Sequence, residues 1–429
     1  MKDRTALSIF ILFAIIYALT AKGRIEVTDT VFSYKTAKAI VENRSFAIDC
    51  GTERMGYCFT AKDGKVYSKY GPGVAFIFVP FVIIGKFAAS FTHLPEDVVT
   101  PFLISFYNIF FGAGACAVSF LFAKRLGFNE RTSSAAALIM GLATMCWCYA
   151  GWDFSETAQM FFLLAGAYCM LNSTRRDLLA ASAALSCLIL IKAANIAYLP
   201  FFLWYLFSSA GKGTQYKKLG YLLSFIAVTI AFILFLNYIR FGNIFETGYG
   251  DESQRFSING LSNIKYLLFS LNKGIFVFNP VLLLSVFGFI PFFKRNRREA
   301  ILFLSLIAAN LCLTAMWFGW GGGWSWGPRL LLPTLPFWLL PIIFFLGRTG
   351  AVRIAAAVLV MISFLVQLPG VLQSPFEYLD IKYNRVSKEL QEKMPLTMMG
   401  SFIILKHKIF ERNRIYRLSE FGIDSDKTI

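Results

Sequence analysis

Residues 219–238 read Leu-Gly-Tyr-Leu-Leu-Ser-Phe-Ile-Ala-Val-Thr-Ile-Ala-Phe-Ile-Leu-Phe-Leu-Asn-Tyr and contain no charged side chain. A helix of this length is about 30 Å long, which matches the hydrocarbon core of a bilayer. Lys217 and Lys218 precede the run, and Arg240 follows it. An apolar run bounded in this way by basic residues is typical of a helix that crosses a membrane.

Further apolar runs extend this pattern over most of the chain. They lie at 6–21, 74–91, 101–123, 133–150, 157–171, 179–191, 196–208, 275–293, 300–317, 330–346 and 352–368. The 429 residues are 57% hydrophobic and only 16% charged, which is far more apolar than a soluble protein. The net charge of +17 comes from basic residues clustered between the runs. We therefore expect a membrane protein without a nucleic-acid partner.

The basic clusters decide the predicted topology, because Lys and Arg are enriched in cytoplasmic loops. All clusters lie inside only if 74–91 does not cross the membrane and 179–208 crosses twice as a short hairpin. Run 74–91 contains Pro80, Gly85 and Lys86, which favours a re-entrant or interfacial segment. The region 179–208 would be about 45 Å long as one helix, too long for one crossing. We predict an all-α polytopic membrane protein with about eleven transmembrane helices and a cytoplasmic N-terminus.

This topology places the polar motifs on the outer side of the membrane. The predicted outer segments are a first loop at 22–100, Trp152–Glu156, Lys192–Asn195, Arg240–Lys273, Gly319–Arg329 and the tail. We expect residues 1–370 to form one transmembrane domain and residues 371–429 a short extracytoplasmic tail. A function that needs carboxylates would therefore act outside.

The first loop holds three candidate functional residues. Asp29 precedes a helical pattern, so it could be a helix N-cap or a functional carboxylate at the membrane surface. Lys69 and Tyr70 precede a Gly-Pro-Gly turn. They suit the phosphate of a lipid carrier, since Lys supplies a charge and Tyr a hydroxyl group. Plain anchoring at the membrane surface is the alternative for both.

The cysteines and histidines limit the chemistry further. Cys50 and Cys58 flank a short polar stretch on the oxidising side, where we expect a disulfide between them. His93 and His407 are the only histidines, which excludes a histidine-rich metal site and argues against a Ser-His-Asp triad. The chain also lacks a dinucleotide fingerprint and a Walker loop.

The second outer loop is short and carries two acids, Asp153 and Glu156. Its length places both carboxylates at the mouth of the helices, where acids usually face a polar cavity. Lys192 lies between two apolar half-hairpins, a costly position unless the amine is paired or reaches water. It could neutralise a phosphate or extend to the surface.

Two later loops combine glycine with aromatic and charged residues. The loop at Arg240–Lys273 includes Tyr249 and Asp251. The loop at Gly319–Arg329 reads Gly-Trp-Gly-Gly-Gly-Trp324-Ser-Trp326-Gly-Pro-Arg329. Backbone N–H groups of such loops approach anions, and Arg binds them with two hydrogen bonds. Tryptophans suit a sugar face, and an interfacial belt is the alternative.

The order of these motifs resembles that of the lipid-carrier-dependent glycosyltransferases of the GT-C fold, which include the protein O-mannosyltransferases and the lipid A aminoarabinose transferase. The likeness covers roughly residues 5–370 and comprises the outer Asp29, YSKYGPG, the short acidic loop, FGN with TGYG, KGIFVFNP and WGGGWSWGPR. It implies an inverting hexosyl- or pentosyltransferase in a bacterial or archaeal cell membrane. The donor would be a polyprenyl-phosphate sugar, and the acceptor a lipid, glycan or protein on the outer face.

The resemblance also implies residue roles. Asp29 matches the catalytic carboxylate, Glu156 the acid of the second loop, and Lys69 the lysine before the Pro turn. We expect the donor phosphate at Lys69, Tyr70, Arg329 and Lys192. We expect sugar or acceptor contacts at Tyr249, Asp251, Trp324 and Trp326.

Two departures from the family pattern bear on cofactor and acceptor. Many relatives have two adjacent acids where Asp29 is followed here by Thr30, so a divalent metal ion would need Asp29 and Glu156 together. The tail after Gly370 is short, and we expect it to contribute little to the choice of acceptor. A lipid or sugar transporter or flippase, and an O-antigen ligase or polymerase, remain the alternative functions.

Overall fold

The computed structural model describes residues 3–51, 56–209, 213–250, 252, 255–394, 396–411, 417–421 and 423. Within them the chain is helical apart from one short β-hairpin, so the predicted all-α class is confirmed. Six helical segments of this part are long and apolar enough to cross a membrane: Pro72–Thr92, Glu96–Arg125, Gln215–Phe241, Arg297–Met316, Arg329–Leu346 and Ala351–Leu372. The chain is an integral membrane protein. The number of eleven crossings stays a prediction.

The N-terminal half packs long helices around a common core. Its helices are α1 (Arg4–Thr20), α2 (Thr28–Asn43), α3 (Pro72–Thr92), α4 (Glu96–Ile104), α5 (Tyr107–Arg125), α6 (Glu130–Leu142), α7 (Met145–Ala150), α8 (Glu156–Met170), α9 (Arg175–Ile191), α10 (Leu199–Ser209) and α11 (Gln215–Phe241). Helix α5 is buried along most of its length between α1, α6 and α8. Small residues of α5 allow this close packing, since a side chain at Gly112 would collide with Ala150 and Tyr17.

The C-terminal half contains shorter helices and several 3₁₀ turns. Its α-helices are α12 (Ile264–Phe269), α13 (Ile275–Phe278), α14 (Leu283–Arg295), α15 (Arg297–Met316), α16 (Leu335–Leu339), α17 (Ile343–Leu346), α18 (Ala351–Leu372), α19 (Pro375–Asp380), α20 (Lys388–Gln391) and α21 (Thr397–Lys406). The 3₁₀ segment Arg329–Thr334 lies against α8 and α15. It therefore brings the end of the loop at Gly319–Arg329, called the Gly/Trp loop below, to the helix that begins with Glu156.

The first loop is folded rather than extended. Strands β1 (Cys58–Thr60) and β2 (Val66–Ser68) pair antiparallel, with Phe59 opposite Tyr67. A disulfide joins Cys50 to Cys58, with their Cα atoms 6.5 Å apart. The hairpin and its disulfide hold the chain between α2 and α3, so Lys69 and Tyr70 emerge from β2 at a fixed place.

Helix α3 lies alongside α2 and points in the same direction. At its beginning, Tyr70 contacts Asp29 in the first turn of α2. Near its end, Lys86 forms an ion pair of 2.7 Å with Glu42 in the last turn of α2. Both ends of α3 therefore contact α2. Helix α3 is long and apolar enough to cross a membrane, so the interfacial placement of residues 74–91 stays a prediction. Pro80 lies inside this helix, which continues through it from Pro72 to Thr92.

Helices α1 and α5 run antiparallel. The ammonium group of Lys124, at the end of α5, lies 2.8 Å from the Asp3 carboxylate that caps the start of α1. The basic cluster after α5 is therefore next to the N-terminus, as the predicted topology requires.

The chain breaks between α9 and α10 where the sequence predicts a turn. Lys192 has an extended backbone, and a 3₁₀ turn at Ala193–Tyr198 follows it. Farther along, Tyr205 of α10 donates a hydrogen bond of 2.8 Å to Glu299, at the start of α15. The turn therefore lies at one end of the bundle, and α10 leads back toward the basic cluster before α15.

The tail packs into a small unit of its own. Tyr378, Leu379, Ile404 and Phe421 are buried together in it. The unit is attached to the first loop, because Ser374 donates a hydrogen bond of 2.9 Å to Glu26. The tail is therefore close to the loops that contain the candidate site residues.

Candidate active site

Asp29 is in the first turn of α2 and does not cap it. The N-cap residue is Val27, and the carboxylate of Asp29 instead accepts a hydrogen bond of 2.6 Å from the hydroxyl of Tyr70. The capping alternative for Asp29 is therefore wrong. The first turn of a helix favours a negative charge, because its backbone N–H groups point toward it.

Asp153 binds the backbone of the residues directly before α2. Its carboxylate accepts hydrogen bonds from the backbone N–H groups of Glu26 and Val27, at 3.2 and 3.0 Å. Its own carbonyl accepts a hydrogen bond from the hydroxyl of Thr30 at 2.5 Å. Burial raises the pKa of Asp153 to about 7, although the two backbone N–H groups act in the opposite direction. Asp153 thus fixes the start of α2, and with it Asp29, to the second loop.

Glu156 is the first residue of α8 and is 5% exposed. One carboxylate oxygen, Oε1, lies 3.2 Å from the guanidinium group of Arg329. The other, Oε2, is buried without a hydrogen-bond partner among the described residues. A buried carboxylate oxygen without a partner is costly, so this atom is a candidate for contact with a ligand.

Arg329 is held by three neighbours. Besides Glu156, its Nε donates a hydrogen bond of 2.7 Å to the carbonyl of Gly322. Its guanidinium group lies 4.2 Å from the ring centroid of Phe154. Gly322 has a φ of +70°, a conformation that glycine adopts without strain. The Gly/Trp loop is therefore shaped around the arginine.

Lys69 lies in a ring of aromatic residues and is paired with an acid. Its ammonium group is 3.0 Å from Glu252. It is also 5.1, 5.7 and 5.4 Å from the ring centroids of Tyr57, Tyr70 and Tyr249. The aromatic faces attract the cation, and Glu252 supplies the negative charge next to it.

One cavity of about 860 Å³ contains most of the predicted site. The charged residues that line it are Asp29, Lys69, Glu156, Lys192, Arg240, Glu252 and Arg329. Lys192 is surrounded by protein but is accessible to this cavity, and burial lowers its pKa while nearby Glu156 opposes that change. Part of the wall is apolar and includes Ile233, Leu313 and Leu330. A ligand with an anionic head and an apolar chain would fit such a lining.

Arg240 is a functional candidate that the sequence reasoning missed. It is 7% exposed and donates hydrogen bonds to the carbonyls of Ser68 and Tyr70, at 3.2 and 3.1 Å. A third hydrogen bond, of 3.0 Å, goes to the side-chain oxygen of Asn237 in the preceding turn. The sequence signal for Arg240 is a basic residue that follows the apolar run 219–238. In the structure it holds the Lys69–Tyr70 segment in place.

The predicted sugar-binding residues do not lie together in one cavity. Tyr249 lines the large cavity, where burial and the charge of Asp29 raise its pKa. Trp326 is fully buried against Phe278 and does not line the cavity, so its predicted contact with sugar is corrected to a role in the core. Trp324 is 38% exposed and lines a second cavity. Asp251 lies outside the described residues.

The lining does not provide a typical metal site. The described residues contain no group of three or more His, Cys, Asp or Glu side chains that could hold an ion. Asp29 is engaged by Tyr70 and Glu156 by Arg329, while Lys192 adds a second cation near Glu156. Divalent ions prefer several oxygen ligands, so the residues present do not fit such an ion.

Comparison with solved structures identifies the fold. ArnT from Cupriavidus metallidurans bound to undecaprenyl phosphate matches with a TM-score of 0.56 and 12% identity, over 98% of this chain and 74% of that chain. The oligosaccharyltransferase of Archaeoglobus fulgidus in complex with zinc and sulfate matches with a TM-score of 0.57 and 12% identity, over 90% and 56%. The chain has the GT-C fold.

A third GT-C structure is AglB of the same archaeon with an inhibitory peptide and a dolichol-phosphate, which matches with a TM-score of 0.53 and 13% identity, over 90% of this chain and 58% of that one. The GT-C chain described here thus spans less than two thirds of the archaeal enzymes. No family of known sequences and no curated protein matches the chain.

Proposed function

We propose that the chain is an inverting glycosyltransferase that moves a sugar from a polyprenyl-phosphate carrier to an acceptor on the outer face of the membrane. The observation that supports this most strongly is the composition of the large cavity. It combines the carboxylate of Asp29, three cationic side chains that can meet a phosphate, and an apolar wall. A lipid phosphate needs the last two features together.

The donor phosphate binds at Lys69, Lys192 and Arg329 in this proposal. As the bond between the anomeric carbon and the phosphate oxygen breaks, its electron pair moves onto the departing polyprenyl phosphate. Three cations stabilise that charge, and their effect is strong because the cavity is largely enclosed by protein. The isoprenoid chain follows the wall of Ile233 and Leu313 toward the lipid.

Asp29 acts as the general base. The acceptor hydroxyl gives its proton to the Asp29 carboxylate while its oxygen attacks the anomeric carbon from the side opposite the phosphate. The hydrogen bond from Tyr70 holds the carboxylate in one orientation. Glu156 orients the sugar by accepting a hydroxyl hydrogen bond on Oε2, the oxygen that lacks a partner. Each proton and electron pair is accounted for without a metal ion.

Two contacts support the proposed sidedness. The pair between Lys124 and Asp3 supports a cytoplasmic location for the end of α5 and the start of α1. Asp29 follows the other end of α1 and so belongs to the outer face. The disulfide between Cys50 and Cys58 agrees with an oxidising compartment.

The test is donor turnover by the purified protein in proteoliposomes. A panel of polyprenyl-phosphate sugars labelled in the polyprenyl chain is supplied, and release of free polyprenyl phosphate is measured. Lys69→Ala and Arg329→Ala are expected to weaken polyprenyl-phosphate binding and to slow release. Lys217→Ala, an exposed lysine at the start of α11, is the matched control and should leave both unchanged. Movement of the carrier across the bilayer without release would instead support the flippase alternative.

A further inference from the structure

A second, smaller cavity lies on the other side of the Gly/Trp loop. It has a volume of about 320 Å³ and is bounded by this loop, by Lys273 and by Lys382 and Tyr383 of the tail. Gly323 lines both this cavity and the large one. The two cavities are therefore neighbours, separated by a segment of chain at Gly321–Ser325.

The separating segment is held by one cation on each side. Arg329 donates to the carbonyl of Gly322 at 2.7 Å. Lys273 donates to the carbonyl of Gly323 at 2.9 Å and to the hydroxyl of Ser325 at 2.8 Å. Arg329 has Glu156 as an ion-pair partner, whereas Lys273 forms no ion pair among the described residues. Among the described residues, the amine of Lys273 therefore contacts polar groups and no acid, including the carbonyl of Ser325 at 3.1 Å.

The side chains that line the second cavity include aromatic and basic residues. The ring of Trp324 stacks on that of Tyr383 with centroids 5.9 Å apart and an angle of 24° between the planes. The ammonium group of Lys382 lies 5.9 Å from the Tyr383 ring centroid and donates a hydrogen bond to the carbonyl of Met394. Aromatic faces bind the C–H surface of sugars, and two lysines favour an anion.

We propose that this second cavity is the acceptor subsite and that it takes an anionic saccharide, one that bears a phosphate or carboxylate group. The saccharide ring packs on Trp324 and Tyr383, and its anionic group lies between Lys273 and Lys382. The inference rests on the proposed function and names its acceptor class. It also assigns the tail a role in choosing the acceptor, contrary to what its length suggests.

Two physical points bear on the ligand, namely the ionisation of Lys273 and the size of the cavity. Burial, together with the charge of Arg329, lowers the pKa of Lys273 to about 7. An anion beside the amine would stabilise its charged form and would reverse that effect. The cavity is also too small for a folded domain, but its volume suits a single sugar unit with its substituent.

The test measures binding of glucose 1-phosphate, glucuronic acid and glucose to the full-length protein by calorimetry. Glucose 1-phosphate and glucuronic acid are expected to bind and glucose to bind at least 10-fold more weakly. Lys382→Met and Lys273→Met should each weaken binding of the anionic sugars by about 10-fold, and Lys273→Arg should retain it. Lys382 is included because the Lys273 variant could disturb the Gly/Trp loop.

The controls separate this site from the donor cavity. Lys69→Ala should bind glucose 1-phosphate as the wild type does, and saturation with undecaprenyl phosphate should leave that affinity unchanged. The proposal is overturned if Lys69→Ala loses binding while both lysine variants of the second cavity keep it. It is equally overturned if undecaprenyl phosphate competes with the sugar phosphate. Failure of the proposed function would appear separately, as a wild-type protein that does not bind undecaprenyl phosphate.

Discussion

The hydroxyl group of Tyr70 lies 2.6 Å from Oδ1 of Asp29. This hydrogen bond joins two distant parts of the first loop, because Asp29 is in the first turn of α2 and Tyr70 precedes α3. Arg240 holds the backbone of Tyr70 from one side, and Asp153 holds the start of α2 from the other. The orientation of the proposed base therefore depends on residues far apart in the sequence.

Tyr70→Phe is expected to slow sugar transfer by about 10-fold. A hydrogen bond to a charged group is worth about 1.5–3 kcal/mol when it is removed. Only part of that value bears on the rate, because Asp29 itself remains. The Michaelis constant for donor should change little, since the hydroxyl group of Tyr70 donates to Asp29 and not to the donor phosphate, where it is expected from the sequence. A change in donor affinity as large as the loss of rate would show that Tyr70 binds donor rather than orienting Asp29.

Asp153→Asn is expected to alter the pH dependence of stability. In the folded protein the pKa of Asp153 is raised to about 7, whereas the ordinary pKa of an aspartate is 3.8. Because the pKa is raised in the folded state, this stabilising contribution is complete below pH 3.8 and is lost as the pH rises to about 7. The melting temperature of the wild type minus that of the variant should be larger at pH 5 than at pH 8. An equal difference at both values would contradict the assignment.

Glu252→Gln is expected to tighten binding of undecaprenyl phosphate several-fold. Glu252 forms an ion pair with the ammonium group of Lys69. The proposed mechanism places the donor phosphate at the same ammonium group, so the two anions compete for it. Glutamine keeps the size of the side chain and removes the charge. Glu246→Gln is a matched control, since Glu246 accepts a hydrogen bond from Gly248 in the same loop and forms no ion pair among the described residues. Unchanged affinity in Glu252→Gln would mean that the phosphate lies elsewhere.

Membrane topology is tested by labelling of single introduced cysteines. Arg131 is exposed at the start of α6, next to the Lys124 end of α5. Arg131→Cys should resist an impermeant thiol reagent in intact cells and should react after permeabilisation. Asn259→Cys, in the loop after α11, should react in both conditions. Reaction of Arg131→Cys in intact cells would invert the proposed sidedness.

The sequence allowed the main members of the large cavity to be predicted. Asp29, Lys69, Glu156 and Arg329 stand in loops that all lie on one side once the basic clusters are assigned to the other. Placing these loops on one side needs only hydropathy and charge, which are properties of single segments, whereas the resemblance to the GT-C family indicated the roles of these residues. The class of fold could be predicted for the same reason.

Other features could not be predicted, because they depend on tertiary packing. Trp324 and Trp326 are two residues apart in an irregular loop, and no periodicity indicates which one is buried. Asp153 and Glu156 are acids three positions apart, yet one binds the backbone directly before α2 and the other pairs with Arg329. The stacking of Tyr383 on Trp324 joins residues about sixty positions apart through a tail without a strong pattern.

The most direct test of the central claim is the single-turnover rate of Asp29→Asn, measured together with its affinity for undecaprenyl phosphate. Asparagine has the same size and cannot accept the proton, and Val27 rather than Asp29 is the cap of α2, so folding should be preserved. The account predicts a loss of rate of about 10²–10⁴-fold with donor affinity within twofold of the wild type. A variant that transfers sugar at nearly the wild-type rate would contradict the account.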